Sequence, residues 1–94
     1  MRSRYSAYAV GDDAYLHDSW HPSTRPRSIA LDPARRWVQL EIVGTVGGGP
    51  FDEEGVVEFR AHHQLDGVSG VLHEVSRFNR VERRWVYLDA AGST

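Results

Sequence analysis

The amino-acid sequence predicts an α+β domain in which N-terminal helices pack on a curved antiparallel sheet of about four strands. Three observations carry this. Tyr5, Tyr8, Ala9, Leu16 and Trp20 recur near helical spacing, which marks one apolar stripe. From Trp37 onward, apolar and polar residues alternate with the period of half-buried strands. Asp66-Gly67, between Leu65 and Val68, has the composition of a two-residue hairpin turn, whose central residues both need positive φ. Helices first and strands afterwards place the helices over the apolar face of the sheet.

The elements follow in order. Gly11 can end the first helix in the left-handed conformation, and Asp12 can cap a second helix over "DAYLHDSW". Pro22 stops that helix by pushing His21 toward extended geometry, and "HPSTRPRSIALDPARRW" reads as an irregular crossing with a turn at Asp32-Pro33. The strand "WVQLEIVG" puts Val38, Leu40 and Ile42 on one face, and the Gly-rich, acidic "TVGGGPFDEEG" reads as a loop. In "VVEFRAHHQL" and its partner, the Asp66-Gly67 turn sets Ala61 opposite Leu72, Phe59 opposite Glu74 and Val57 opposite Ser76 on one side, with Arg60 opposite His73 on the other. A tight turn at Glu82-Arg83 brings back "RWVYLD", placing Phe78, Trp85, Tyr87 and Asp89 on the side of Glu74. A one-residue bulge would flip part of that set.

Composition narrows the function. The 94 residues, 40% hydrophobic and 26% charged, form one small folding unit with no room for a second domain. With no cysteine there is no disulfide framework, thiolate nucleophile or cysteine zinc site. No apolar run is long enough for a membrane span or signal peptide, so a cytoplasmic location is expected, with no membrane association. All 11 basic residues are Arg, with the pairs Arg2/Arg4, Arg25/Arg27, Arg35/Arg36 and Arg83/Arg84 scattered rather than in a block against a net charge of -2, which argues against nonspecific nucleic-acid binding. His17 and His21 stand four apart around Asp18, but His21 precedes Pro22 and no third ligand is specified, so neither a metal nor a cofactor is expected. His62 and His63 point to opposite faces of their strand.

The segments "MRSRYSAYAVGD", "WHPSTRP" and "HEVSRF...RRWVYLD", in that order, resemble the YchJ family of bacterial proteins. The resemblance covers nearly the whole chain and implies a domain like nuclear transport factor two, a curved sheet wrapped by helices into a cone. It carries no activity with it. Family members typically bear a Cys-rich SEC-C type motif ahead of the segment matching "MRSRYSAY", which this chain lacks. Residues 1–94 are therefore expected to correspond to the central YchJ-like domain alone, with Met1 at a position internal to longer relatives.

The candidate pocket is the concave side of the sheet: Tyr5, Tyr8, Trp20, Phe59, Glu74, Ser76, Arg77, Trp85 and Tyr87, with Asp89 nearby. Desolvation among aromatic rings suits the Glu74 carboxylate to acid or base work near neutral pH. Against this stands a structural role, with Glu74 paired to Arg77, Arg2 or Arg4 to anchor a helix. The aromatic residues, Trp37 among them, can equally be core. Ser76 has no evident His-acid partner, which excludes a hydrolase triad and leaves no catalytic residue assigned. Two readings remain open. The leading one is a noncatalytic binding or adaptor module for an unknown protein partner, since SEC-C type arms resemble the partner-contacting tail of the secretion ATPase. The alternative is a small-molecule pocket protein or enzyme using Glu74 as acid or base. A homodimer through the sheet is compatible with either.

Overall fold

A computed structural model of the chain describes residues 1–93. Two helices, α1 (Arg2–Val10) and α2 (Asp13–Asp18), precede four strands, β1 (Arg35–Gly47), β2 (Glu54–Leu65), β3 (Val68–Val81) and β4 (Arg84–Ser93), which form one antiparallel meander in the order β1-β2-β3-β4. The α+β architecture is the expected one. No helix among the described residues is long and apolar enough to cross a membrane.

Both helix signals act as read. Gly11 takes φ 76° and releases the chain from α1, while the Asp12 carboxylate accepts the Tyr15 N–H at 3.0 Å and caps α2. The stripe differs from expectation: α1 buries Arg4 and Ala7, Tyr5 and Tyr8 are half-buried, and Ala9 is exposed. The reason is Arg4, whose guanidinium occupies the space under α2 where an apolar side chain was expected. It donates to the Leu16 carbonyl at 3.0 Å and to the Ser19 hydroxyl at 2.6 Å, and lies over the Trp20 and Tyr87 rings at 5.3 and 4.7 Å. Each contact satisfies or stabilises a cation that burial would otherwise penalise.

Beyond α2 the chain runs along the outer edge of β4. Tyr87 N–H donates to the Ser19 carbonyl at 2.8 Å, His21 N–H donates to the Tyr87 carbonyl at 2.7 Å, and Trp20 pairs with Tyr87 in parallel sense. The irregular crossing follows, ending in the turn at Asp32, whose carbonyl accepts the Arg35 N–H at 3.1 Å.

The β2–β3 register is the predicted one, with Leu65 opposite Val68, Phe59 opposite Glu74 and Val57 opposite Ser76. Asp66 and Gly67 take φ 52° and 78°, and Glu82 and Arg83 likewise take 50° and 69°, so both hairpins close on two-residue turns with positive φ. Three sequence expectations need correction. β1 continues to Gly47, so Thr45, Val46 and Gly47 pair with Val57, Val56 and Gly55 and the loop is only 48–53. An irregularity between Trp37 and Gln39 leaves Val38 unpaired and exposed, off the face shared by Leu40 and Ile42. A second, between the Phe78–Tyr87 and Arg77–Asp89 pairs, leaves Leu88 unpaired and turns Asp89 to the face away from Phe78. Such bulges add local twist and bend the sheet, which produces its concave side.

Gly47, at φ 68°, is the tightest backbone position: a Cβ there would stand 2.7 Å from the Glu54 carbonyl oxygen, whereas at Gly67, φ 78°, nothing lies within 4 Å. Gly67→Ala is expected to lose about 1 kcal/mol from the backbone conformation alone, and Gly47→Ala more, about 1–3 kcal/mol. Urea unfolding of the two variants checks the order; equal losses would contradict it.

Candidate functional site

Strand parity assembles the site. Counting outward from the Asp66-Gly67 turn, Ala61 and Phe59 of β2 face the same side as Leu72, Glu74, Ser76 and Phe78 of β3, and the Phe78–Tyr87 pairing adds Tyr87 from β4. From α1, Tyr5 and Tyr8 lean over that surface and meet Trp37 of β1, with ring centroids 6.4 and 6.0 Å apart. The result is a cleft of about 240 Å³ between α1 and the sheet, walled by Tyr5, Tyr8, Trp37, Phe59 and Leu72, with Glu74 at one end and Arg35 at the other. Met1 separates it from a second hollow of about 310 Å³, walled by Val57, Phe78 and Trp85.

Glu74 is half-buried, and its carboxylate is held on one oxygen. Ser76 Oγ donates to Oε2, and the Tyr87 hydroxyl donates to the same oxygen at 3.2 Å. Burial pushes the Tyr87 phenol well above its ordinary pKa, with the charge of Glu74 and the hydrogen bond to it adding to the rise. Tyr87 therefore stays protonated and remains a donor. Ser76 is fully buried, so its hydroxyl serves Glu74 and has no path to an outside molecule. Among the described residues, no Arg, His or terminal amino nitrogen lies within 4.0 Å of a Glu74 oxygen.

The sequence candidates are thus divided. Tyr5, Tyr8, Phe59 and Glu74 share the cleft, and Ser76 and Tyr87 hold its carboxylate. Trp85 lines the second hollow, where Arg80 lies over its ring at 4.9 Å. Trp20 sits behind Tyr87, edge to face at 4.9 Å, outside the cleft. Arg77 does not belong to the site: one position out of phase with Glu74 and Ser76, it lies on the outer face, where its Nε donates to Asp89 Oδ1 at 2.6 Å. The suggested pairings of Glu74 with Arg77 or Arg4 are corrected accordingly, Arg77 by parity and Arg4 by its engagement under α2. Asp89 is corrected with Arg77, because the unpaired Leu88 carries it to the same outer face.

That outer face is polar. His73 Nε2 lies 2.7 Å from Glu58, and Arg60 and His62 flank Glu41 at 3.5 and 3.6 Å. His63 points the other way and packs its ring against Trp37 at 5.3 Å. His17 lies 3.9 Å from Asp18, while His21 Nδ1 accepts the Ser23 N–H at 3.0 Å. Met1, Trp37 and Arg35 line the cleft although sequence reasoning did not place them there. For Trp37 and Arg35 the signal would have been the β1–β2 register, which two irregularities hide.

A curved antiparallel sheet with N-terminal helices over its concave side and an aromatic cleft between them defines the class of domains like nuclear transport factor two. Within that class the chain belongs to the YchJ family: residues 1–90 match the family described as "YchJ, middle NTF2-like domain". It is 51% identical over 89 residues to a UPF0225 protein of Streptomyces coelicolor, covering 95% of this chain and 68% of that one. It is 48% identical over 88 residues to a UPF0225 protein of Corynebacterium efficiens, covering 93% and 66%. The chain thus spans about two thirds of the length of these relatives. The solution structure of a SEC-C motif containing protein from Rhodopseudomonas palustris superimposes with a TM-score of 0.82 at 28% identity, over 98% of this chain and 74% of that one.

The Arg77–Asp89 pair is open to direct measurement. Hydrogen bonding from Arg77, then its charge, holds the Asp89 carboxyl below the usual aspartate range. A carboxyl whose folded pKa is depressed stabilises the fold above its unfolded pKa and loses that contribution as pH falls through the folded value. NMR titration is expected to show Asp89 titrating below ordinary aspartates, and Arg77→Ala to return it to their range.

Proposed function

We propose that this domain is a noncatalytic binding module whose recognition surface is the cleft between α1 and the sheet. The observation that carries the reading is the state of Glu74: a carboxylate that lines an aromatic-walled hollow while its two donors both bond one oxygen. That is the build of a recognition site, in which a few polar groups orient a ligand and apolar walls supply most of the contact. A serine-nucleophile mechanism has no support here, because Ser76 is sealed beneath Glu74 and donates to it. The Rhodopseudomonas palustris neighbour is described as a SEC-C motif containing protein. We carry this over as the expectation that the domain works beside another module, presenting its cleft while that module makes separate contacts.

A fragment screen followed by amide chemical shifts tests the reading. Bound fragments are expected to move resonances of Tyr5, Trp37 and Phe59, and to be recovered unchanged. Phe59→Ala should weaken them about tenfold, the equivalent of about 1.4 kcal/mol, and Arg77→Ala on the outer face should leave them unaffected. Chemical conversion of a fragment, abolished by Glu74→Gln, would instead establish the acid-base reading.

A further inference from the structure

Resting on the cleft as a binding surface, we propose that its ligand is a small organic cation: an apolar body carrying an N–H-bearing ammonium that hydrogen-bonds to Glu74 Oε1. Glu74 is half-buried against Phe59 and Leu72, yet none of the described cations approaches it within 4.0 Å. Met1 lines the same cleft, but its amino nitrogen is not within 4.0 Å of a Glu74 oxygen, and the three arginine candidates fail for separate reasons. Arg77 is committed to Asp89 on the far face, Arg4 to Leu16 and Ser19 under α2, and Arg2 is exposed with no carboxylate in reach. A carboxylate withdrawn from water without a counter-ion is costly, and a ligand that brings the counter-ion recovers that cost on binding.

Geometry selects the donor's position. Ser76 and Tyr87 both occupy Oε2, so the free acceptor positions concentrate on Oε1, and Tyr87, held protonated, cannot turn into a competing acceptor charge. The walls agree with a cation. Tyr5, Tyr8 and Trp37 are electron-rich rings whose faces attract positive charge, and Trp37 already carries the Arg35 guanidinium at 5.7 Å. Because Arg35 occupies the opposite end, the ligand's ammonium is directed to the Glu74 end and its apolar part to the middle. A volume of about 240 Å³ lies below the range of cavities for drug-sized ligands, which limits the body to a short alkyl or single-ring group.

The test uses three probes of equal length, hexylamine, hexan-1-ol and hexanoate, titrated into the full chain while amide and indole resonances are followed. Hexylamine is expected to shift Trp37, Tyr5 and Leu72 saturably and to bind at least tenfold more tightly than hexan-1-ol, with hexanoate weakest. In Glu74→Gln, hexylamine should fall to the affinity of hexan-1-ol. Equal binding of amine and alcohol, or tighter binding of hexanoate through Arg35, overturns the ligand class while leaving the cleft as a binding surface. No cleft shift with any probe overturns both. The comparison among probes needs only the unaltered protein, so it stands even where Glu74→Gln does not fold.

Discussion

The buried guanidinium of Arg4 holds the rest of the arrangement in place. It reaches the last turn of α2 through the Leu16 carbonyl and the Ser19 hydroxyl, and it reaches the sheet through the ring of Tyr87. The two helices have only nine and six residues, too short to be stable alone, so their position comes from tertiary contacts. A cation under α2 also suits the carbonyl-rich end of that helix. Burial lowers the pKa of Arg4, while Tyr8 and Tyr87 act in the opposite direction, so the rings around it belong to its solvation as much as to the core. The same contact connects scaffold and site, because the Tyr87 beneath Arg4 is the residue that steadies Glu74.

The separation between the two faces of the sheet is the second constraint. On β3, alternate residues send Glu74, Ser76 and Phe78 inward and Arg77 outward, and no side chain can serve both sides. The sheet therefore carries two electrostatic surfaces that do not share partners: an outer lattice of paired charges, Arg77 with Asp89 and Arg60 with Glu41, and an inner surface with one carboxylate among aromatic rings. Exposed ion pairs of the outer kind contribute little to stability and are screened by salt. The inner carboxylate is the one that lines the cleft.

Most of the fold was legible because its signals are local. Gly11, Asp12 and Asp66-Gly67 each act within a few residues, and the parity rule extends the hairpin register as far as the strand stays regular. Legibility failed where regularity did. No sequence pattern announced the unpaired Val38 or Leu88, and the second alone exchanged Asp89 between faces and brought it to Arg77. The role of Arg4 was hidden for a different reason: as an anchor it was matched with Glu74, whereas its burial depends on carbonyl groups and rings from segments distant in the chain. Glu74, Phe59, Ser76 and Tyr87 could be placed together because they descend from the two hairpins. Trp37 could not, because it reaches the cleft through a strand connected by a Gly-rich loop.

The edge pairing of Trp20 with Tyr87 sets an order of events during synthesis. The meander can close hairpin by hairpin as each strand emerges, since every strand pairs with its sequence neighbour. The helices emerge first, and α1 can meet Trp37 once β1 is made, but the chain after α2 finds its anchor only when β4 has been made, because Ser19 and His21 both bond to the Tyr87 backbone. Closing so long a loop is entropically costly and is recovered only on docking. Until then Trp20 lacks the Tyr87 ring that it packs against, and without that segment the β4 edge is open to pairing with other strands. The last strand made is also the one that supplies the Tyr87 hydroxyl to Glu74, so the carboxylate end of the cleft is completed last.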